Sequence, residues 1–306
     1  MKKNSISEHF EKKGLLLEGQ KKLKIENLEY QNVVNDFEKY GLIIFRDFNE
    51  EPKKIARITD LYTQAYANDA PRRQNALGEK NFSAVDVGHN EGEKEIEMPL
   101  HSEASYSPSW PEVIWFFCLT PSDKGGETTL CDGIKLWKNL SLNTKNFFLS
   151  NPICWYLEFP ILEKKKGKGK RPWILNSQGA SDGYIDWETG KLHIKQTRFA
   201  VVETRHPEVL AFSNHLMVIP GQDPQIKKWT TIKGDPIPSD IMAEVKSRSS
   251  ELTHDHKWKK DDLVMIDNRR FMHGRREFNK NEKRQVAIAQ TLRTNFGYGS
   301  TTRKKI

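Results

Sequence analysis

Cysteine is scarce in this chain. Cys118, Cys131 and Cys154 are the only three among 306 residues, and no CxxC spacing links them. That excludes a disulfide framework or a zinc ribbon and leaves reduced core thiols, as expected of a cytosolic protein. Long apolar runs are missing as well. No segment approaches the ~20 continuous apolar residues that a membrane helix needs. The first residues, MKKNSISEHFEKKG, carry charge without the apolar stretch of a secretory signal. No internal repeat is visible, and no recognisable nucleic-acid motif accompanies the positive charge. These absences predict a cytoplasmic protein that neither crosses a membrane nor binds nucleic acid.

What is present suits a globular core: 36% hydrophobic and 10% aromatic residues, which excludes a wholly disordered chain. The net charge is +8. Part of the excess lies in EKKKGKGKR (163–171) and in the RKKI end. Such runs are solvated loops or landing sites for an acidic partner. The organisation expected is a weakly ordered segment over 1–20, a single domain over 21–299 with a flap around 160–200, and a basic tail over 300–306. YGLIIFRDF, EVIWFFCL, TTLCDG, NPICWYLEFPILE, KKDDLVMIDNRR and RQVAIAQTLR read as strands. Helical spacing marks EEPKKIARITDLYTQAYAN, IKLWKNLSLNTKNFFLS and SDIMAEVKSRSSEL. Many short strands with helices to the side predict a mainly β fold, a barrel or double-sheet jelly roll with helical cover.

The chemistry begins at MPLHSEASYSP, where His101 and Glu103 stand two apart in what reads as a strand, and so on one face. Alone, the pair is explained by a salt bridge. LVMIDNRRFMHGRREF then supplies His273 at the end of a distant apolar strand. Two His and one carboxylate with open positions make the facial triad of non-haem Fe(II) oxygenases. The usual co-substrate of such a site, 2-oxoglutarate, needs a cationic partner for its far carboxylate, and Arg provides a bidentate one. Arg284 opens the next strand, and Thr128 in GGETTL offers a hydroxyl, with Thr129 competing by adjacency.

These pieces, LHSEASY, GGET, DNRRFMHGR and the Arg that follows, occur in the order and spacing of a known family. The chain resembles the taurine dioxygenase-like group of Fe(II)/2-oxoglutarate oxygenases over about residues 40–295. The resemblance implies a double-stranded β-helix, a jelly-roll relative. It implies His101, Glu103 and His273 on Fe(II), Arg284 and Thr128 on 2-oxoglutarate, and O2 as oxidant. Most of the family has Asp where this chain has Glu103, whereas clavaminate synthase and several free-amino-acid hydroxylases use Glu. Taurine dioxygenase holds its sulfonate with a second Arg at the position occupied here by Ile288.

The expected activity is hydroxylation of an aliphatic C–H in a small molecule, an amino acid or an aminoacyl group tethered to a carrier protein. Desaturation or cyclisation by the same site is the alternative. A non-catalytic binding protein on the same scaffold is the alternative of another class. Trp110, Asn214 and Asn268 are candidate substrate contacts, and Asn268 is also placed to brace the turn before His273. His254 and His256 lie in a charged stretch and are expected at the surface.

Overall fold

This computed structural model describes residues 2–5, 14–50, 54–67, 83–85, 94–107, 109–161, 170–174 and 181–297. The first half of the chain runs β1 (Lys2–Ser5), β2 (Leu15–Glu18), α1 (Tyr30–Tyr40), β3 (Leu42–Arg46), α2 (Ile55–Asp60), β4 (Thr63–Tyr66), β5 (Ser83–Val85), β6 (Lys94–Glu95), β7 (Met98–His101), β8 (Val113–Thr120) and β9 (Thr128–Asp132). Next come α3 (Gly133–Asn139), α4 (Leu142–Ser150), β10 (Ile153–Pro160), β11 (Lys170–Ile174), β12 (Ser181–Asp186) and β13 (Lys191–Arg198). The chain continues through β14 (Val201–Glu203), β15 (Leu210–Phe212), β16 (Ile226–Thr231), α5 (Ser239–Leu252), β17 (His254–His256), β18 (Leu263–Asp267), β19 (Phe271–Arg275), β20 (Phe278–Asn279) and β21 (Gln285–Thr294).

Two sheets form the jelly roll. The larger runs β1-β2-β3-β18-β8-β21-β4, with β5 also on β21; the smaller runs β17-β9-β19-β7. Alternation decides which side chains meet between them. Leu42 and Ile44 of β3, Ile114 and Phe116 of β8, Val264 and Ile266 of β18, and Val286 and Ile288 of β21 share one core with Leu130 of β9 and Phe271 of β19. The intervening residues Ile43, Phe45, Trp115, Phe117, Met265, Ala287 and Ala289 pack the other face of the large sheet against α1 and α2. The central strands are therefore apolar on both faces, which is why they read as continuous hydrophobic runs. Behind the small sheet, Cys131 and Met272 join a third core with α3, α5 and the β10 and β16 strands.

Several elements differ from the sequence expectation. The segment expected to be weakly ordered contains β2, which pairs in parallel with β3 and buries Leu15 and Leu17. The helix expected across 50–68 stops at Asp60. Tyr62 leaves it to stack on Tyr30 and pack on Trp115, and residues 63–66 join β21 instead. Sheet pairing overrides the helical spacing there. The helix expected over 134–150 is two, because Ser141 caps α4 by accepting from Thr144 N. Within the region around 160–200, the described residues include three strands. β11, β12 and β13 add to β10 and β16 as a five-stranded antiparallel sheet. Lys164, Lys165, Lys166 and Lys168 and the 300–306 tail lie outside the described residues. His256 is buried, not at the surface, and is packed on Trp258 beside Asp262. No helix among the described residues is long and apolar enough to cross a membrane.

Candidate metal and oxoacid site

The same alternation aims two histidines into the jelly roll. Leu100 belongs to the outer core, so His101 beside it on β7 faces inward. On β19, Phe271 faces inward and His273 shares its face. His101 and His273 are register partners, and their ring centroids lie 4.6 Å apart. Gly274, next to His273, is required by close approach, since a Cβ there would stand 2.4 Å from Met98 O.

Glu103 reaches the site by another route than the one expected. β7 ends at His101, and Glu103 sits in the following turn, where Ala104 takes a left-handed φ of 51°. Asn268 holds that turn. Its Oδ1 accepts from Glu103 N (2.9 Å), and its Nδ2 donates to Glu103 O and Pro111 O (both 3.0 Å). Ser102 Oγ donates to Asn268 O, and Trp110 Nε1 donates to Ser102 Oγ at 2.9 Å. The Arg269 guanidinium lies 5.4 Å from the Trp110 ring. Asn268 and Trp110 thus brace the Glu103 turn. The Asn214 amide is likewise committed to backbone, donating to Ala200 O and accepting from Leu216 N.

The result is a cluster of His101, Glu103 and His273 whose ligand atoms all lie within 4.8 Å of one another. His101 Nε2 is 3.6 Å from Glu103 Oε2. The opposite nitrogen, Nδ1, is 2.8 Å from Pro99 O, so it carries the proton and leaves Nε2 as a lone-pair donor. His273 is buried, and its Nδ1 has no hydrogen-bond partner. Burial, and secondarily the charge of His101, pushes its pKa down to about 3, so the ring is held as the neutral imidazole that a metal requires. A neutral His273 imidazole, the Nε2 of His101 and one carboxylate suit a divalent transition metal, and the residues present fit Fe(II).

Two further groups stand beside the cluster: His215, which in AFSNHLM is with Asn214 a candidate to face the cavity, and Gln290, which sequence reasoning missed. His215 lies with its ring 4.9 Å from that of His101, but both its nitrogens face oxygens: Ser102 O at 3.3 Å and Asp223 Oδ2 at 3.5 Å. Tyr106 OH donates to the same Asp223 carboxylate. Gln290 of β21 donates from Nε2 to Glu103 Oε1 at 3.1 Å. A single polar residue continuing the inward register of Val286 and Ile288 was the available signal for it.

Just before β21, Arg284 is buried and its Nε donates to Gly126 O at 2.7 Å. Gly126 has φ +69°, and a Cβ on it would stand 2.7 Å from Arg284 Cδ. Thr128 shares the inward face of Leu130, and its Oγ1 accepts from Trp258 Nε1 at 3.0 Å. Thr129 points the other way, sharing the face of Cys131. Of the alternative cations, Arg276 is paired with Glu97 and Asp255 at the surface, and Arg293 is exposed.

Comparison with known proteins follows the same line. The family described as "Taurine catabolism dioxygenase TauD, TfdA family" matches residues 5–290. No curated protein matches the sequence. Among solved structures, PvcB of Pseudomonas aeruginosa is 17% identical with a TM-score of 0.53, over 90% of this chain and 85% of that chain. AAD-2, solved with Mn(II) and N-oxalylglycine, is 17% identical with a TM-score of 0.57, over 95% of this chain and 97% of that chain. A putative alpha-ketoglutarate dependent 2,4-D dioxygenase of Burkholderia xenovorans is 15% identical with a TM-score of 0.56, over 91% and 92%. At these identities the likeness is one of fold.

Proposed function

This chain belongs to the TauD, TfdA family of dioxygenases, and from that premise we propose that His101, Glu103 and His273 hold its Fe(II) and that it hydroxylates an aliphatic C–H of an amino acid. The protein is an Fe(II)- and 2-oxoglutarate-dependent dioxygenase and uses O2. The observation that carries the assignment is the inward-facing His-Glu-His cluster with its ligand atoms within 4.8 Å. When bound, iron and the oxoacid together supply the oxidising power for cleaving an unactivated C–H.

The chain's own residues do the positioning. The Pro99 carbonyl fixes the His101 tautomer, and Asn268 fixes the backbone that carries Glu103. Arg284 offers the far carboxylate of 2-oxoglutarate a buried guanidinium, and Thr128 adds a hydroxyl from the same inward face. Phe116, whose ring lies 5.2 Å from that of His273, and Ile288 keep this side of the site apolar and dry. Two features favour an amino acid. Ile288 is buried where a sulfonate-binding Arg would stand, so a strongly anionic head lacks that partner. Glu103 replaces Asp, as in hydroxylases of free amino acids. A carrier-tethered aminoacyl group is the second reading. It is favoured by Lys195 and Lys228, which flank Tyr156 on the outward face of the five-stranded sheet.

The test is iron-dependent 2-oxoglutarate turnover, scored as succinate, across a screen of amino acids. His101→Ala and His273→Ala are expected to abolish it while leaving the circular dichroism of the fold unchanged. Wild-type succinate production by either variant would remove the ligand assignment.

A further inference from the structure

Gln290 does more than fill the interior. It is 8% exposed, on the same face of β21 as the apolar Val286 and Ile288. An amide is costly to bury there unless it is hydrogen-bonded. Its Nε2 donates to Glu103 Oε1, while its Oε1 is buried without a partner. The reverse orientation would set the amide oxygen against a carboxylate oxygen, so the chemistry of the contact fixes which end of the amide faces Glu103.

Glu103 needs such a partner. Asn268 clamps its backbone N–H and C=O, but a glutamate keeps one more rotatable bond than an aspartate beyond that clamp. Its two oxygens are not equivalent here. Oε1 is held by Gln290, and Oε2 is the one near His101 Nε2, at 3.6 Å. We propose that Gln290 is a positioning residue for the metal carboxylate: by engaging Oε1 it presents Oε2 as the single oxygen ligand and so preserves open positions on the ion. The proposal rests on the metal-site reading above.

Co(II) alone, added to metal-free protein without oxoacid or substrate, is the probe, because its visible d–d absorption reports coordination number. Wild type is expected to take up one equivalent. Gln290→Met and Gln290→Leu put an apolar side chain of similar length or size in the strand and remove the donor. Each is expected to weaken Co(II) binding roughly 10- to 100-fold, the usual loss when an outer hydrogen-bond partner of a ligand is removed. The d–d intensity should change with it as the carboxylate becomes free to chelate through both oxygens. A folded variant that binds within about twofold of wild type with a superimposable spectrum overturns the role of Gln290.

A cycle with Glu103→Asp covers the case of a destabilised variant. The shortened carboxylate retreats from Gln290, so the loss from Gln290→Met should largely vanish in that background, whereas additive losses refute the contact. Failure of wild type to bind Co(II), or undiminished binding by His101→Ala, would instead overturn the metal site itself.

Discussion

At Arg284 a charge is committed before any ligand arrives. The guanidinium is buried, tethered to Gly126 O, and fitted over a glycine that has no room for a Cβ. Removing it should cost the oxoacid a charge-assisted, desolvated partner. Truncating such a pair typically loses about 2–5 kcal/mol, roughly thirty- to several-thousand-fold in affinity. Arg284→Ala is therefore expected to raise the apparent KM for 2-oxoglutarate by at least about thirtyfold, measured by succinate formation. A change within about threefold would move the role to another cation. Residues of this kind were legible in the sequence because the chemistry restricts the type: imidazole and carboxylate for iron, Arg for a carboxylate. Gln290 was not, since an amide serves many structural ends and only the folded register puts it beside Glu103. Polar residues at strand ends are ambiguous in the same way: Asn268 was expected either to brace its turn or to meet substrate, and its amide, like that of Asn214, is committed to backbone groups.

Among elements, the strands with two buried faces were readable from their apolar runs, and β8 and the Val286–Ala289 stretch of β21 follow that reading. Of the five-stranded sheet only β10 was readable, because the outward face is charged and the neighbouring segments are rich in Lys, Gly and Pro. That face now separates the two substrate forms. Lys228 and Lys195 lie 4.4 and 5.9 Å from the Tyr156 ring, and Lys191 and Lys227 converge on Glu158. An acidic carrier docking there would be steered by charge, and its rate would fall with salt. The free-amino-acid reading instead expects Lys195→Ser/Lys228→Ser to turn over the identified substrate within about twofold of wild type at low and high salt. A several-fold loss at low salt that disappears at high salt would identify a carrier-borne substrate.

For the whole molecule, burial of titratable groups sets the acid limit of stability. Burial holds His256 below the ordinary imidazole value, and the adjacent Asp262 carboxylate opposes this only in part. His215 is shifted in the same direction, again chiefly by burial. For Asp262, burial would raise the carboxyl, but the hydrogen bonds from Arg46, with the His256 imidazole close by, outweigh it and hold it below the usual carboxylate range. Unfolded imidazoles take up protons below about pH 6.5, while the folded ones resist, so the unfolded state binds more protons and stability falls as pH drops through that value. The Asp262 contribution is present above about pH 4 and is lost below it, by the same linkage. Acid unfolding is thus expected in two stages, first the buried histidines and then Asp262. Each unit by which an imidazole is lowered costs about 1.4 kcal/mol at full protonation of the unfolded state, and about 2–4 °C of Tm accompanies each kcal/mol in a domain of roughly this size. Thermal melts of metal-free protein in EDTA should show Tm falling by several degrees between pH 7.5 and pH 5. His256→Gln should flatten part of that slope, because the unfolded chain then has one imidazole fewer to protonate. A Tm that is level across this range, or a slope unchanged in His256→Gln, would show that these histidines are not protected from protons by the fold.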